Sequence, residues 1–194
     1  MTKEKYFFEN EIYSNNYKFR FKTDKDLLDD IKLIKPPASI LDLGCGDNGS
    51  IFELAKRGYD VTGIDISKTL IKNLKNYAKN KKIKIKLICK DIEKYNFTKK
   101  YDIIIMMGIL HFIPKSKINE FLRKVKSYTT KNGINIIFAF REGDISQDNT
   151  SEGHYFKEKE LFQIYKNWKI INYKEGIEKT NDGKHKIVEI VAIK

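Results

Sequence analysis

Apolar positions along the chain fall into two alternating periods. Leu27, Leu28, Ile31 and Ile34 recur at helical spacing behind Thr23 or Asp24, either of which can cap a helix, and Pro36-Pro37 ends the run. Ser39 to Leu43 is a short apolar stretch of strand type, and Ile51, Phe52 and Ala55 then return to a helical period that stops near Gly58. A second strand follows from Tyr59 to Asp65, after which Ser67 caps a helix with Leu70, Ile71, Leu74, Tyr77 and Ala78 on one face. Strand three is expected from Ile83 to Cys89, with Lys82, Lys84 and Lys86 alternating as on a half-exposed edge strand. Strand four, Tyr101 to Met106, is continuously apolar, as a central parallel strand is. Ile118, Phe121, Leu122 and Val125 mark a helix, Ile134 to Phe140 a fifth strand, and Lys157 to Tyr165 a last helix. Two closing strands, Trp168 to Tyr173 and Ile187 to Ile193, are joined through the turn-forming Asn181-Asp182-Gly183. Strands alternating with helices predict an α/β fold built on a largely parallel sheet. No repeat or linker divides the pattern, so residues 1–194 are expected to form one domain, with residues 1–37 roofing its pocket.

Within that pattern, the run ILDLGCGDNG from Ile40 to Gly49 carries the chemistry, followed by YDVTGID from Tyr59 to Asp65. A strand enters a glycine turn and a helix, and the next strand ends in an acid. That arrangement suits an adenosine-containing cofactor, because glycines let the backbone approach the ligand and the acid can bind ribose hydroxyls. Gly44, Gly46 and Gly49 also satisfy the dinucleotide spacing, so the glycines alone leave a nicotinamide cofactor open. Two acids argue for S-adenosylmethionine instead. Asp42 lies at the strand end, where its charge would repel a pyrophosphate but can face a cationic methionine end. Asp91, in ICKDIE, is placed to meet an adenine amino group.

These motifs resemble those of class I S-adenosylmethionine-dependent methyltransferases, whose first motif is LDLGCG. The position of the relatives' third glycine is Asn48 here, and asparagine tolerates a left-handed backbone. LAKRGYDVTGIDIS, YDIIIMMGILHFIP and HYFKEKELFQIYKNW are similar to the tellurite-resistance, TehB-like branch. The resemblance implies a Rossmann-like sheet of seven strands in the order 3-2-1-4-5-7-6, with helices on both faces and the last strand antiparallel. It also implies cofactor contacts at the carboxyl ends of the strands. Asp42, Gly44, Cys45 and Gly46 would line the methionine end and the turn, Asp65 would take the ribose with Ile66 against adenine, and Asp91 and Ile92 would hold the base. Met106 and Met107 follow strand four, where a backbone carbonyl would face the cofactor's amino group. S-adenosylhomocysteine would be the product.

The net charge of +12 raises the question of nucleic acid, but nearly all the cations are dispersed lysines, which reads as a solvated surface. The segment after strand four, Met106-Met107-Gly108-Ile109, lacks the signature of base-amino methyltransferases, and neither Cys45 nor Cys89 follows a proline as a cytosine-attacking nucleophile would. The two cysteines suggest no disulfide framework and no metal site, and a cytoplasmic protein without a membrane span is expected. The acceptor is therefore expected to be a small molecule. Its pocket would draw on Tyr13 and Tyr17, on His111 and Phe112 after strand four, and on Arg141, His154 and His185, the last three as catalytic candidates. Relatives carry arginines in the final hairpin where this chain has Lys179, Lys184 and Lys186, and lysine loses the bidentate geometry of arginine. A tellurite- or selenite-like oxyanion and a thiol both stand as acceptors. The other readings are an RNA or protein methyltransferase docking through the basic surface, and a noncatalytic cofactor-binding module.

Overall fold

The computed structural model describes residues 7, 12, 13, 23–147, 152–180 and 183–194. Along the chain run α1 (Lys25–Ile31), β1 (Ser39–Leu43), α2 (Ser50–Lys56), β2 (Asp60–Asp65), α3 (Lys68–Asn80), β3 (Lys86–Cys89), β4 (Tyr101–Met107), α4 (Ile118–Ser127), β5 (Thr129–Phe140), α5 (Glu160–Tyr165), β6 (Lys169–Thr180) and β7 (Gly183–Ile193). The strands form one seven-stranded sheet in the order β3-β2-β1-β4-β5-β7-β6, flanked by helices. β1, β2 and β3 pair in parallel, whereas β7 runs antiparallel to both β5 and β6. This is the strand order that the family resemblance implied. Two compact units, residues 1–103 and 104–194, divide within β4. Among the described residues no helix is long and apolar enough to cross a membrane.

In the first unit, local chemistry sets the helix starts. Asp24 accepts from the Leu27 amide at 3.1 Å and Ser67 from the Leu70 amide at 3.1 Å, each satisfying a donor that the first helical turn leaves without a partner. Ile40, Leu41 and Leu43 of β1, and Ile64 of β2, have no accessible surface, so the parallel strands carry the core. Ser39 and Asp102 lock reciprocally: the Ser39 amide and hydroxyl both donate to Asp102 Oδ2 at 2.8 Å, and the Asp102 amide donates to Ser39 Oγ at 3.1 Å.

Several boundaries differ from expectation. β3 begins at Lys86, not Ile83, because Lys82 turns left-handed (φ 55°) and the Ile83 amide closes back on the Ala78 carbonyl at 2.9 Å, so residues 83–85 leave the helix instead of joining the ladder. α5 starts at Glu160, since Lys159 is itself left-handed (φ 58°). β5 extends back to Thr129. β6 and β7 are also longer than expected, pairing from Lys169↔Ile193 to Thr180↔Gly183 with one irregularity between Ile170 and Asn172. Extended backbone there is held by cross-strand bonds, which leave no local hydrophobic signature. In the second unit Tyr165 Oη donates to Asn135 Oδ1 at 2.9 Å and Asn135 Nδ2 to Thr129 Oγ1 at 2.9 Å, tying α5 to β5 through a buried polar chain.

Gly63 of β2 shows what close packing requires here. A β-carbon on it would stand 3.1 Å from both Cys45 Sγ and Leu87 Cδ2, tighter than such contacts normally run. Gly63→Ala is therefore expected to lower stability by roughly 1–3 kcal/mol through overpacking. Adding Cys45→Ala should return part of that loss. A denaturant double-mutant cycle measures the coupling, and strict additivity would show that the two side chains do not compete for this space.

Candidate functional site

The turn after β1 is suspended from the end of β2. The Gly44 and Cys45 amides both donate to the Ile64 carbonyl, at 2.8 and 2.9 Å, and the Gly46 amide donates to Asp65 Oδ2 at 3.1 Å. Gly44 (φ 74°) and Gly46 (φ 50°) take the left-handed backbone that this route demands. Asn48 does not; instead its Oδ1 accepts from the Ser50 amide at 2.9 Å, and Ser50 Oγ accepts from the Asp24 amide at 2.9 Å. Side-chain bonding, in place of the left-handed tolerance expected of asparagine, thus holds the turn. The Tyr13 hydroxyl lies 3.3 Å from where a β-carbon on Gly46 would sit, which brings the buried Tyr13 to the turn. Tyr17 lies outside the described residues.

Asp42 and Asp65 set the electrostatics. Both are buried, and burial together with the Asp65 charge pushes the Asp42 carboxyl up to about 7. Asp65 also uses Oδ1 to accept the Ser67 amide at 2.9 Å. Cys45 belongs to the turn through its backbone; its thiol packs over Gly63, and burial pushes it well above the usual range. Half-buried Ile66 and Ile92 follow β2 and β3. Asp91 caps the short 3-10 turn Ile92–Lys94 by accepting the Glu93 amide at 3.0 Å, and its Oδ2 lies 3.6 Å from Lys94 Nζ. These groups fit an adenosine cofactor with a cationic tail: a glycine turn open to close approach, apolar residues to flank a base, and a buried acid pair.

In the second unit, Met106 is buried, Met107 is half-buried, and Gly108 (φ 65°) adjoins open space. His111 and His185 pack on Phe140, with ring centroids 4.9 and 5.2 Å away, and Phe112 packs on His111 at 3.9 Å. Burial drives His111 down to about 4, so it is neutral, and its Nδ1 is buried without a hydrogen-bond partner among the described residues. The structure holds the other two catalytic candidates apart from this group. Arg141 Nη2 pairs with Glu175 Oε2 at 3.1 Å. Strand alternation explains the split, since Phe140 pairs with Ile187, two residues from His185, while Arg141 is the next residue along. His154 lies 3.1 Å from Glu160 Oε1 and edge-on to Phe156, and burial lowers its pKa against the opposing pull of Glu160. Sequence reasoning missed Phe140, Asp144, Tyr155 and Glu175 as neighbours of these groups. Their contacts are long-range, so no local motif announces them.

Sheet order, glycine turn and acid pair together define the Rossmann-like architecture of class I methyltransferases. The profile of the family Tellurite resistance protein TehB matches residues 5–189, and the chain belongs to that family. It is 28% identical over 165 residues, 84% of this chain, to the Probable S-adenosyl-L-methionine-dependent methyltransferase TehB of Haemophilus influenzae. The chain spans 57% of the length of that curated relative. A Ubiquinone biosynthesis O-methyltransferase of Rickettsia akari is 31% identical over 98 residues, covering 50% of this chain and 38% of its own. Among solved structures, TehB from Haemophilus influenzae superposes with a TM-score of 0.79 at 25% identity, covering 98% of this chain and 67% of its own.

The Asp42 shift has a direct consequence. Its folded pKa is raised, so between about 4 and about 7 the unfolded chain ionises this group while the folded protein keeps the proton, and stability falls as pH rises through that window. Asp42→Asn should remove that slope and stabilise the ligand-free protein at neutral pH, by on the order of 2 kcal/mol. Thermal unfolding across the window checks this, and an unchanged slope in the variant would assign the effect elsewhere.

Proposed function

We propose that the chain binds S-adenosylmethionine and transfers its methyl group to a small-molecule acceptor, a tellurite- or selenite-like oxyanion or a thiol. The observation that carries this reading is the buried Asp42–Asp65 pair beside the glycine turn. Two buried acids beside one another, one of them retaining its proton near neutrality, favour a ligand that brings positive charge. A pyrophosphate would add negative charge to the same place. The name of the Haemophilus influenzae relative supports the same cofactor and reaction.

On this reading residues 1–194 act as one methyltransferase domain. Asp42 and the Gly44–Gly46 backbone take the methionine end, Asp65 the ribose hydroxyls, Ile66 and Ile92 the adenine faces, Asp91 its amino group, and the chain at Met106 and Met107 the cofactor amine. Bound S-adenosylmethionine supplies a sulfonium methyl already activated for in-line displacement. The protein's remaining work is alignment and exclusion of water. His111, Phe112 and His185 form the acceptor wall, with Tyr13 at the turn. Arg141 and His154 contribute through Glu175 and Glu160, by shaping the surrounding segments.

Asp65→Ala removes charge-assisted bonds of roughly 1.5–3 kcal/mol each and should abolish or greatly weaken S-adenosylhomocysteine binding in calorimetry. His185→Ala should keep cofactor affinity and lose methyl transfer to selenite, tellurite or small thiols. Tight NADH binding without S-adenosylhomocysteine binding would overturn the cofactor. Methyl transfer to RNA alone would overturn the acceptor class.

A further inference from the structure

From Ile66 to Lys90 the chain carries nine lysines and no acid. This stretch is α3, the turn after it and β3, all within the first unit, and every one of its lysines is exposed. Elsewhere in the unit cations sit beside acids: Lys32 pairs with Asp29, Arg57 with Glu53, Lys94 with Asp91 and Lys99 with Asp60. Lys72, Lys75, Lys79, Lys82, Lys84 and Lys86 have no ion pair among the described residues. Here the lysines are gathered, not mixed with acids.

The helix sets three of them in line. Leu70, Ile71, Leu74 and Ala78 bury one side of α3. At about 100° per residue, Lys72, Lys75 and Lys79 fall within about 60° of one another on an exposed side. That stripe runs for about 10 Å along the axis. Past the helix end, Lys82, Lys84 and Lys86 alternate with Ile83, Ile85 and Leu87 and carry the charge into β3, the edge strand. Two ordinary roles account for part of this charge. Cations near a helix C-terminus meet its dipole, which covers Lys79, and lysine along an edge discourages strand pairing, which covers Lys82, Lys84 and Lys86. Neither explains Lys72 and Lys75, nor the lack of any acid at the spacings where opposite charges support a helix. Like charges at those spacings repel and cost stability, and a bound polyanion relieves the repulsion.

What else the stretch carries selects the anion. None of the large apolar side chains exposed among the described residues lies in it, so it offers nothing to insert among lipid tails. Its one aromatic residue, Tyr77, is half-buried and packs on Phe52 at 4.7 Å between ring centroids, which leaves no open platform for unstacked bases. Lysine is a point charge on a flexible stem, suited to phosphate oxygens and not to the fixed fork of base recognition. Duplex DNA presents one charge for about every 1.7 Å of axis, about twice the density of a single strand.

We propose that the stripe from Lys72 to Lys79, continued to Lys86, is a docking surface for the phosphate backbone of duplex DNA, bound without reading its bases. The assignment does not rest on the methyl-transfer reading, and either can fail alone.

Lys72→Gln, Lys75→Gln and Lys79→Gln together remove the stripe. Fluorescence anisotropy of a short labelled DNA duplex, titrated with the full chain between about 50 and 200 mM salt, should show parent binding whose log K falls with log salt. The triple variant should bind more weakly, with a slope shallower by about three. Lys157→Gln, Lys166→Gln and Lys169→Gln, at three exposed lysines of the second unit, lower the net charge equally and should leave affinity and slope close to the parent's. An equal loss in that control would show that binding follows net charge, and would overturn the stripe. So would a parent that binds no duplex, or an unchanged slope in the first variant. Tighter binding of a single strand of the same length, or of duplex RNA, would overturn the choice of duplex DNA. Binding to vesicles of anionic lipid in place of DNA would assign the surface to a membrane. Thermal unfolding at low salt should find the first variant no less stable than the parent, since repulsion has been removed. A clear drop in Tm would show that these lysines serve the fold instead.

Discussion

Three amides of one turn hang from the last two residues of β2: Gly44 and Cys45 on the Ile64 carbonyl, and Gly46 on the Asp65 carboxylate. The shape of the candidate cofactor pocket in the first unit depends on these bonds. They hold because β1 and β2 pair in parallel register, Leu43 opposite Ile64, so both strands end at the same level. The left-handed glycines follow from the same demand, since a side chain at those angles would strain the turn. Gly63 completes the arrangement by leaving room for Cys45, which the turn drives inward. Asp65 is accordingly a structural anchor of the turn as well as a candidate for the cofactor.

Burial acts on two acids of this chain with opposite results. Asp42 is taken out of water beside another acid, and its carboxyl rises to about 7. Asp144 is also buried, yet donors from Ser146, His185 and Lys186 converge on it and its carboxyl falls below the ordinary range. The difference is local hydrogen bonding set against desolvation, not depth. The two carboxyls are thereby moved in opposite directions although both are buried.

The legible part of the site is the part written in contiguous residues. ILDLGCGDNG and the acid closing YDVTGID contain the turn, its anchor and the buried pair within one strand–helix–strand unit, so spacing alone brings them together. Asn48 was legible as a departure, but its way of holding the turn was not, because a side-chain bond to Ser50 and a left-handed backbone look alike in sequence. The acceptor side was read less fully. His111 and His185 both pack on Phe140, whereas Arg141 pairs with Glu175 and His154 lies beside Glu160. Residue type named all of these as candidates, and strand parity and remote partners sorted them.

Hydrophobic period and glycine spacing determined by themselves the alternation of strands and helices and the glycine turn after β1, because each is encoded by neighbours within a few positions. Element ends were decided by tertiary structure where a left-handed residue such as Lys82 or Lys159, or the long β6–β7 pairing, overrode local preference. Tertiary structure alone also decided that Asp144 faces His185 across 41 residues, and that Arg141 turns to Glu175 instead. Pairing register fixes such contacts, and a one-residue change of register would reverse the face each side chain occupies.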